Sequence, residues 1–283
     1  MTHPLNDAPL QDMPLYLARL GHEQPPPPTL DTLRALQLRH TIAFPFETVS
    51  LLLREPVPLD LPSLQRKLLH DGRGGYCYEL NQLFLVLLQQ LGFQARAISG
   101  RVVMGGPEDR QTARTHQAVL VELDGVSWLA DVGFGGLVPT APLRLDTEDA
   151  QATPHESFRI TRHDDHRVLR AQVAGEWRAM YVFDLQPQAA IDHEVGNWYV
   201  STHPQSPFRD RLVAARVEHG LRHTLNGVRY SAHHLDGPSQ PRTLDSVDAV
   251  LDTLQQVFHI HVPAHPQLHT AIARLLEQDG APV

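Results

Sequence analysis

The hydrophobic pattern of this chain changes near residue 93. Before that point, apolar residues recur at the three- and four-residue spacing of helices, whereas afterwards they form the short runs and alternations typical of strands. Helices and strands that are segregated in this way favour an α+β fold. We therefore predict a helical part over residues 1–92, a mainly β part over 93–195 that forms a barrel or a sandwich, and a mixed C-terminal part over 196–283.

The strongest helical pattern begins at the single cysteine of the chain. Residues 77–91 are apolar nearly all round, which predicts a helix buried at the centre of the bundle. Another helix is predicted from Thr29 to Ala43, because Thr29 or Asp31 can serve as its N-cap before leucines at helical spacing. Further helices are predicted at residues 14–20, 63–70, 246–257 and 267–278.

Two dipeptides predict β-hairpins, since Asp124-Gly125 and Asn226-Gly227 each lie between two short apolar runs. Asn, Asp and Gly tolerate the positive φ angles that two-residue hairpin turns require. The strands are predicted at residues 93–104, 117–123, 126–132, 157–162, 167–173, 177–183, 212–217, 221–225 and 228–232.

Charge and composition argue against several classes of function. The formal net charge is −8 and there is no basic run, so we expect no nucleic-acid partner. The longest apolar stretch, near residues 83–88, is too short to cross a bilayer, and we expect no membrane partner. Cys77 is the only cysteine and no secretory pattern is present, which favours a free thiol in the reducing cytoplasm.

Cys77 has the sequence context of a nucleophile, because it follows the glycine-rich residues 72–75 and begins the strongest predicted helix. Unpaired N–H groups and the helix dipole stabilise a thiolate at such a position, and the thiolate is the reactive form of cysteine. The same N–H groups can hold the oxyanion of an acyl transfer. An inert buried cysteine is the alternative, so the hypothesis needs a partner for Cys77.

The first predicted hairpin supplies such a partner. If Asp124-Gly125 forms a two-residue turn, Ala118 lies opposite Asp131, and His116 is the diagonal neighbour of Asp131 on the same face. The carboxylate is then placed to orient the imidazole as the base for Cys77. Each residue alone has an ordinary alternative, a turn aspartate and a half-buried barrel histidine. Together they predict a papain-like triad of Cys77, His116 and Asp131.

A second glycine-rich segment begins directly after Asp131 and Val132. Its backbone N–H groups suit an anion such as phosphate. The segment matches neither a P-loop nor a dinucleotide fingerprint, and an ordinary tight turn is the alternative. Because the glycine-rich segment directly follows Asp131, we predict that it forms a loop that binds phosphate or an acyl group beside the triad.

These segments resemble the signatures of arylamine N-acetyltransferases. Residues 73–81 (RGGYCYELN) resemble the active-site cysteine motif of that family. Thr115-His116 before a strand and residues 131–136 (DVGFGG) resemble the other two signatures. Similarity to further landmarks of the family is found at residues 45–47 and 201–208.

The resemblance covers residues 30–210 approximately and implies both a fold and a mechanism. The fold would have three lobes: an N-terminal helical bundle over residues 1–92, a central antiparallel β-barrel over 93–195 and a C-terminal α/β lid over 196–283. Cys77 would take an acetyl group from the co-substrate acetyl-CoA as a thioester, CoA would leave, and an aromatic amine or hydrazine would attack in a ping-pong cycle. His116 would be the general base and Asp131 its orienting group, and no metal is implied.

The resemblance also implies roles for residues around the triad. Arg73 and Glu47 look like the structural ion pair that supports the active-site loop in the family. Thr48 departs from the family, which often has Asn after Phe-Glu, and this affects local hydrogen bonding rather than chemistry. The acceptor and CoA cleft would be lined by Phe134, Gly133, Gly135 and Gly136.

Two other functions remain open from the residues alone. A Cys-His-Asp hydrolase, or an amide synthase that uses another acyl donor, would have the same triad and would differ in what reaches the thioester. A metal-binding module is the second alternative, but no further cysteine supports a structural zinc site. That alternative rests on His163, His166, His259, His261, His265 and His269.

Overall fold

A computed structural model describes residues 10–279 of the chain, and their fold is α+β as predicted. The helices are α1 (Met13–Arg19), α2 (Leu30–Ala43), α3 (Val49–Leu52), α4 (Leu61–Gln65), α5 (Cys77–Gln90), α6 (Ala190–Thr202), α7 (Val247–Gln256) and α8 (Leu268–Asp279). The strands are β1 (Phe46–Glu47), β2 (Gln94–Val102), β3 (Arg114–Leu123), β4 (Val126–Ala130), β5 (Leu143–Arg144), β6 (Gln151–Ala152), β7 (Ser157–His163), β8 (His166–Val173), β9 (Glu176–Phe183), β10 (Val213–Glu218), β11 (Leu221–Asn226), β12 (Arg229–His234) and β13 (Gln240–Thr243).

The N-terminal helices pack around α5, which is buried along most of its length as its sequence pattern predicts. Leu33 and Leu36 of α2 belong to the same core cluster as Leu83 and Leu87 of α5. Each fully buried leucine contributes about 1.5–3 kcal/mol of transfer free energy, so this cluster fixes α5 firmly. Helix α2 also begins as predicted, because the Thr29 hydroxyl accepts the Thr32 N–H at 3.2 Å.

The helix predicted at residues 63–70 is present but not uniform. Asp60 caps α4 by accepting the Ser63 N–H at 3.0 Å, and α4 ends at Gln65. Residues Arg66–His70 then form a π-helical turn. Such turns change the direction of the side chains that follow, and they occur often at functional sites.

The central sheet has eight strands in the order β5-β4-β3-β2-β9-β8-β7-β6, and every neighbouring pair is antiparallel. The two edge strands meet through the side chain of Gln151. Its amide nitrogen donates to the Arg144 carbonyl at 3.0 Å, and its amide oxygen accepts the Arg144 N–H at 2.8 Å. The sheet is therefore nearly closed and barrel-like, with Leu129, Leu169 and other apolar residues inside.

The C-terminal part contains a five-stranded sheet in the order β1-β10-β11-β12-β13. Helices α7 and α8 cover this sheet and share a core with it. Strand β1 comes from the N-terminal part of the chain and pairs with β10, with Phe46 opposite Ala215. Phe46 also bridges Gly75 in the loop before α5, so the C-terminal sheet and that loop are hydrogen-bonded through β1.

Several local features differ from the prediction: α3, β1, β5, β6 and β13 were not predicted, and β4 ends at Ala130 rather than at residue 132. Helix α6 was not predicted, and Gly196 in it allows an approach to Tyr78 so close that a Cβ would lie 2.1 Å from the Tyr78 hydroxyl. The second hairpin turns at Gly227-Val228 rather than Asn226-Gly227, because Asn226 pairs with Arg229. The Asp279 carboxylate accepts the Val228 N–H at 3.2 Å and favours this register.

In the part of the chain that the structure describes, no helix is long and apolar enough to span a bilayer.

Candidate active site

Cys77 is the first residue of α5 and follows a loop that is tied to the rest of the protein. The Gly75 N–H donates to the Pro45 carbonyl at 3.2 Å, and the Glu47 N–H donates to the Gly75 carbonyl at 2.9 Å. The Cys77 side chain is buried, and its Sγ lies 3.6 Å from the Thr115 carbonyl oxygen. The thiol therefore lies at the helix N-terminus and faces β3, as the sequence predicts.

The hairpin of β3 and β4 brings His116 and Asp131 together. Its register is the predicted one, with Val119 opposite Ala130. His116 Nε2 lies 2.7 Å from Asp131 Oδ2, and Cys77 is close enough to raise the pKa of His116 as well. The structure thus brings all three predicted triad residues into one buried group, at the junction of α5 and the barrel.

Asp131 is fully buried, and three further groups donate hydrogen bonds to its carboxylate. The Asn81 amide donates to Oδ1 at 3.0 Å, and the Gly133 N–H donates to the same oxygen at 2.9 Å. The Tyr181 hydroxyl donates to Oδ2 at 3.0 Å. Because every donor favours the ionised form, these hydrogen bonds oppose the effect of burial and keep the carboxylate charged.

The electrostatics of the pair follow from these contacts. Burial acts to lower the pKa of His116, but the charge of Asp131, the hydrogen bond with Asp131 and the nearby Cys77 outweigh burial and raise that pKa to about 10. Burial acts to raise the pKa of Asp131, but the His116 charge and the donated hydrogen bonds hold it below its ordinary value. The arrangement therefore favours an imidazolium beside Cys77, which is the partner that a thiolate requires.

The predicted glycine-rich segment lies directly against these residues. A Cβ on Gly133 would lie 2.8 Å from the Cys77 Cα, so only glycine allows this approach. Phe134 packs edge-on against the His116 ring, with centroids 5.1 Å apart. Gly135 has a φ of +84° and faces Phe46, which is a backbone conformation that favours glycine.

Gly136 lies at the boundary between the barrel and the C-terminal sheet. A Cβ on Gly136 would lie 3.0 Å from the Thr224 side chain of β11. Arg222, which lies two residues before Thr224 on β11, donates to the Val138 carbonyl at 2.9 Å. The segment is therefore held between the triad and the C-terminal sheet.

Arg73 and Glu47 form the ion pair that the sequence predicts. The Glu47 carboxylate oxygen Oε1 accepts Arg73 Nε at 3.0 Å and Nη2 at 2.6 Å. Its other oxygen accepts the Val49 N–H at 2.6 Å. Burial acts to raise the pKa of Glu47, but Lys67 and Arg73 lower it below its ordinary value. The pair links β1 to the loop that precedes Cys77.

Sequence reasoning assigned no role to Asn81 or Tyr181. Asn81 lies four residues after Cys77 on α5, and this spacing alone could have placed it on the same helix face. It also accepts the Val132 N–H at 3.0 Å and donates to the Gln117 carbonyl at 2.6 Å. Tyr181 carries no comparable signal, because it reaches Asp131 through the pairing of β2 with β9.

Across residues 10–279, no group of three or more His, Cys, Asp and Glu side chains is arranged to hold a metal ion.

The chain was compared with known proteins. A profile of a family described as N-acetyltransferase matches residues 29–267. The arylamine N-acetyltransferase of Mycolicibacterium smegmatis is 43% identical over 253 residues, which cover 88% of this chain and 92% of the relative. An arylamine N-acetyltransferase / N-hydroxyarylamine O-acetyltransferase of Salmonella typhimurium is 38% identical over 248 residues, which cover 87% of this chain and 88% of the relative.

Solved structures agree with these sequence matches. The arylamine N-acetyltransferase of Mycobacterium marinum, solved in complex with CoA, superposes with a TM-score of 0.89 at 39% identity, over 93% of this chain and 99% of that one. The shared fold includes the barrel-like sheet. This chain belongs to the arylamine N-acetyltransferase family.

Proposed function

We propose that this chain is an arylamine N-acetyltransferase that transfers an acetyl group from acetyl-CoA to aromatic amines and hydrazines. The observation that carries the proposal is the buried group of Cys77, His116 and Asp131, in a chain whose relatives are named for this activity. In this proposal the three residues are a papain-like catalytic triad on a fold of three lobes, with the C-terminal lobe as the lid.

The proposed reaction has two halves. In the first, Cys77 Sγ attacks the thioester carbonyl of acetyl-CoA, the C–S bond to CoA breaks, and the imidazolium of His116 protonates the leaving thiolate. In the second, the amine nitrogen attacks the Cys77 thioester, His116 accepts the amine proton, and Sγ leaves as the thiolate. Asp131 remains ionised throughout and orients the imidazole.

The surrounding residues support these roles. The free N–H groups at the start of α5 would hold the oxyanion of each tetrahedral intermediate. Phe134 and the glycines that flank it would line the cleft for CoA and the acceptor, since Phe134 already contacts the His116 ring. Arg73 and Glu47 would hold the loop before Cys77 in place. The partners would be small molecules, and a cytoplasmic location suits the single free cysteine.

The experiment that tests the proposal is intact-mass measurement of the pure protein after incubation with acetyl-CoA without an amine. We expect a gain of one acetyl group, because Cys77 is the only thiol of the chain. The control is Cys77→Ala, which should gain nothing. Addition of an aromatic amine or a hydrazine should then remove the acetyl group and yield the N-acetylated product.

The alternatives give different results in the same experiment. A thioester that disappears in buffer as fast as it does with amine indicates a hydrolase. A protein that stays unmodified by acetyl-CoA but is acylated by longer acyl thioesters indicates an amide synthase. A protein that stays unmodified by every thioester, with Cys77 intact, contradicts the proposed function.

A further inference from the structure

Four charged side chains, three of them buried and one partly buried, lie close to the loop that precedes Cys77. Two are carboxylates, on Glu47 and Glu79, and both are essentially unexposed. Two are cations, on Lys67 and Arg73. Their formal charges cancel, and we call this group the ion cluster.

Lys67 is the residue that joins the two carboxylates. Its Nζ lies 2.7 Å from Glu79 Oε1 and 3.7 Å from Glu47 Oε1. Its side chain is only 18% exposed. The π-helical turn Arg66–His70 places Lys67 there, and the neighbouring Arg66 is exposed.

Glu79 connects the ion cluster to the nucleophile. It lies two residues after Cys77, in the first turn of α5, and its Oε2 accepts the Tyr76 N–H at 3.0 Å. Burial raises the pKa of Glu79, Lys67 opposes that rise, and Glu47 adds to it. Gly75 leaves the space that Glu79 occupies, since a Cβ there would lie 2.9 Å from the Glu79 carboxylate.

We propose that Lys67 is a positioning residue for the transferase reaction: together with Arg73 it neutralises Glu79 and Glu47, and thereby keeps the start of α5 able to stabilise negative charge on Cys77. This inference rests on the proposed function. Without Lys67 the ion cluster carries a net negative charge close to Cys77, and a nearby like charge disfavours the thiolate. A purely mechanical role for Lys67, as a tether of the loop, would not depend on the sign of the charge.

The experiment compares charge variants by the reaction of Cys77 with iodoacetamide across the pH range, which reports the thiolate without any acyl transfer. The variants are Lys67→Met, Glu79→Gln, the double variant with both changes, Lys67→Arg, and Arg66→Met as an exposed control on the same turn. Acetylation of Cys77 by acetyl-CoA is followed in parallel by intact mass.

We expect Lys67→Met to move the acid limb of the alkylation profile to higher pH, with a rate roughly tenfold lower near pH 6 and little change at the alkaline plateau. Glu79→Gln should move the limb to lower pH, because it removes a negative charge. The double variant and Lys67→Arg keep the ion cluster neutral. The alkylation rate of each near pH 6 should therefore lie within about threefold of the wild-type rate. Arg66→Met should match the wild type.

The inference is overturned if Lys67→Met leaves the limb unmoved, or if the rate falls equally at every pH and the double variant does not recover. If Lys67→Met does not fold, the opposite shift expected for Glu79→Gln and the neutral double variant decide the question. If the wild type is alkylated with these shifts but never acetylated, the proposed function fails while the role of Lys67 in thiolate stabilisation stands.

Discussion

Two histidines of this protein are buried to nearly the same extent and have opposite charge preferences. His116 lies at the junction of α5 and the barrel, and its pKa is raised to about 10. His40 lies in α2 within the bundle core, where burial lowers its pKa to about 3. Solvent exposure is 2% for His116 and 0% for His40, so burial depth does not explain the difference.

The difference comes from what surrounds each ring. His40 packs against Phe44 and Phe84, with centroids 4.7 Å and 5.2 Å away. Neither ring nitrogen of His40 has a hydrogen-bond partner within residues 10–279. His116 has aromatic neighbours as well, but it also has the Asp131 carboxylate. The difference is therefore due to one buried carboxylate: His116 has Asp131 beside it and is charged, whereas His40 has no such partner in the described part of the chain and is a neutral part of the core.

The largest expected effect comes from removing that carboxylate. Asp131→Asn should lower the pKa of His116, as burial does for His40, and should reduce kcat/KM for acetyl transfer by about ten-thousand-fold. The matched control is Asp124→Asn at the exposed tip of the same hairpin, where φ is +52° and Asn is tolerated. A loss of less than about tenfold in Asp131→Asn would mean that the carboxylate does not set the charge of His116.

The next effect concerns stability and arises at His40. The folded protein does not protonate His40 until about pH 3, whereas an unfolded histidine titrates near pH 6.5. The unfolded state therefore binds more protons between these values, and stability falls as the pH drops. Between pH 6.5 and 4.5 the wild type should lose about 2–3 kcal/mol more than His40→Leu, measured by urea unfolding.

The control for this measurement is His219→Leu, because His219 is exposed and its loss should leave the pH dependence unchanged. Parallel stability curves for the wild type and His40→Leu would show that His40 is protonated, or solvated, in the folded protein.

The smallest expected effect concerns Tyr181, which donates a hydrogen bond to Asp131, the partner of His116. Tyr181→Phe removes one of the hydrogen bonds to Asp131 but leaves those from His116, Asn81 and Gly133. A single hydrogen bond to a charged group contributes about 1.5–3 kcal/mol, so kcat/KM should fall about tenfold to a hundredfold.

The alkaline limb of the rate profile should shift to lower pH in Tyr181→Phe, because a less stabilised carboxylate holds the imidazolium less firmly. Tyr230→Phe in the C-terminal sheet serves as the matched control. Equal rates for Tyr181→Phe and the wild type at all pH values would assign Tyr181 to packing alone.

Much of the site could be predicted because its geometry is local. The Asp124-Gly125 turn fixes the register of β3 and β4, so the contact between His116 and Asp131 follows from strand periodicity. The position of Cys77 at a helix start follows from the glycines before it and the apolar run after it.

The rest depends on contacts between distant parts of the chain. The Asn226-Gly227 dipeptide carries the same turn signal, but Asp279 of α8 bonds to Val228 and the turn forms one residue later. Tyr181 reaches Asp131 only because β9 pairs with β2, and no local pattern records that pairing. Helix α6 has weak helical periodicity and is stabilised by its contacts, such as the hydrogen bond from Tyr76 to Asn197.

The pairing of β1 with β10 also has a consequence for the order of events during synthesis. The loop before Cys77 is bridged to Phe46, and Phe46 pairs with Ala215, which the ribosome adds much later. A nascent chain that has already exposed its cysteine therefore lacks the sheet that completes the loop. Reactivity at Cys77 should thus appear late, only when the last third of the polypeptide has emerged and folded back.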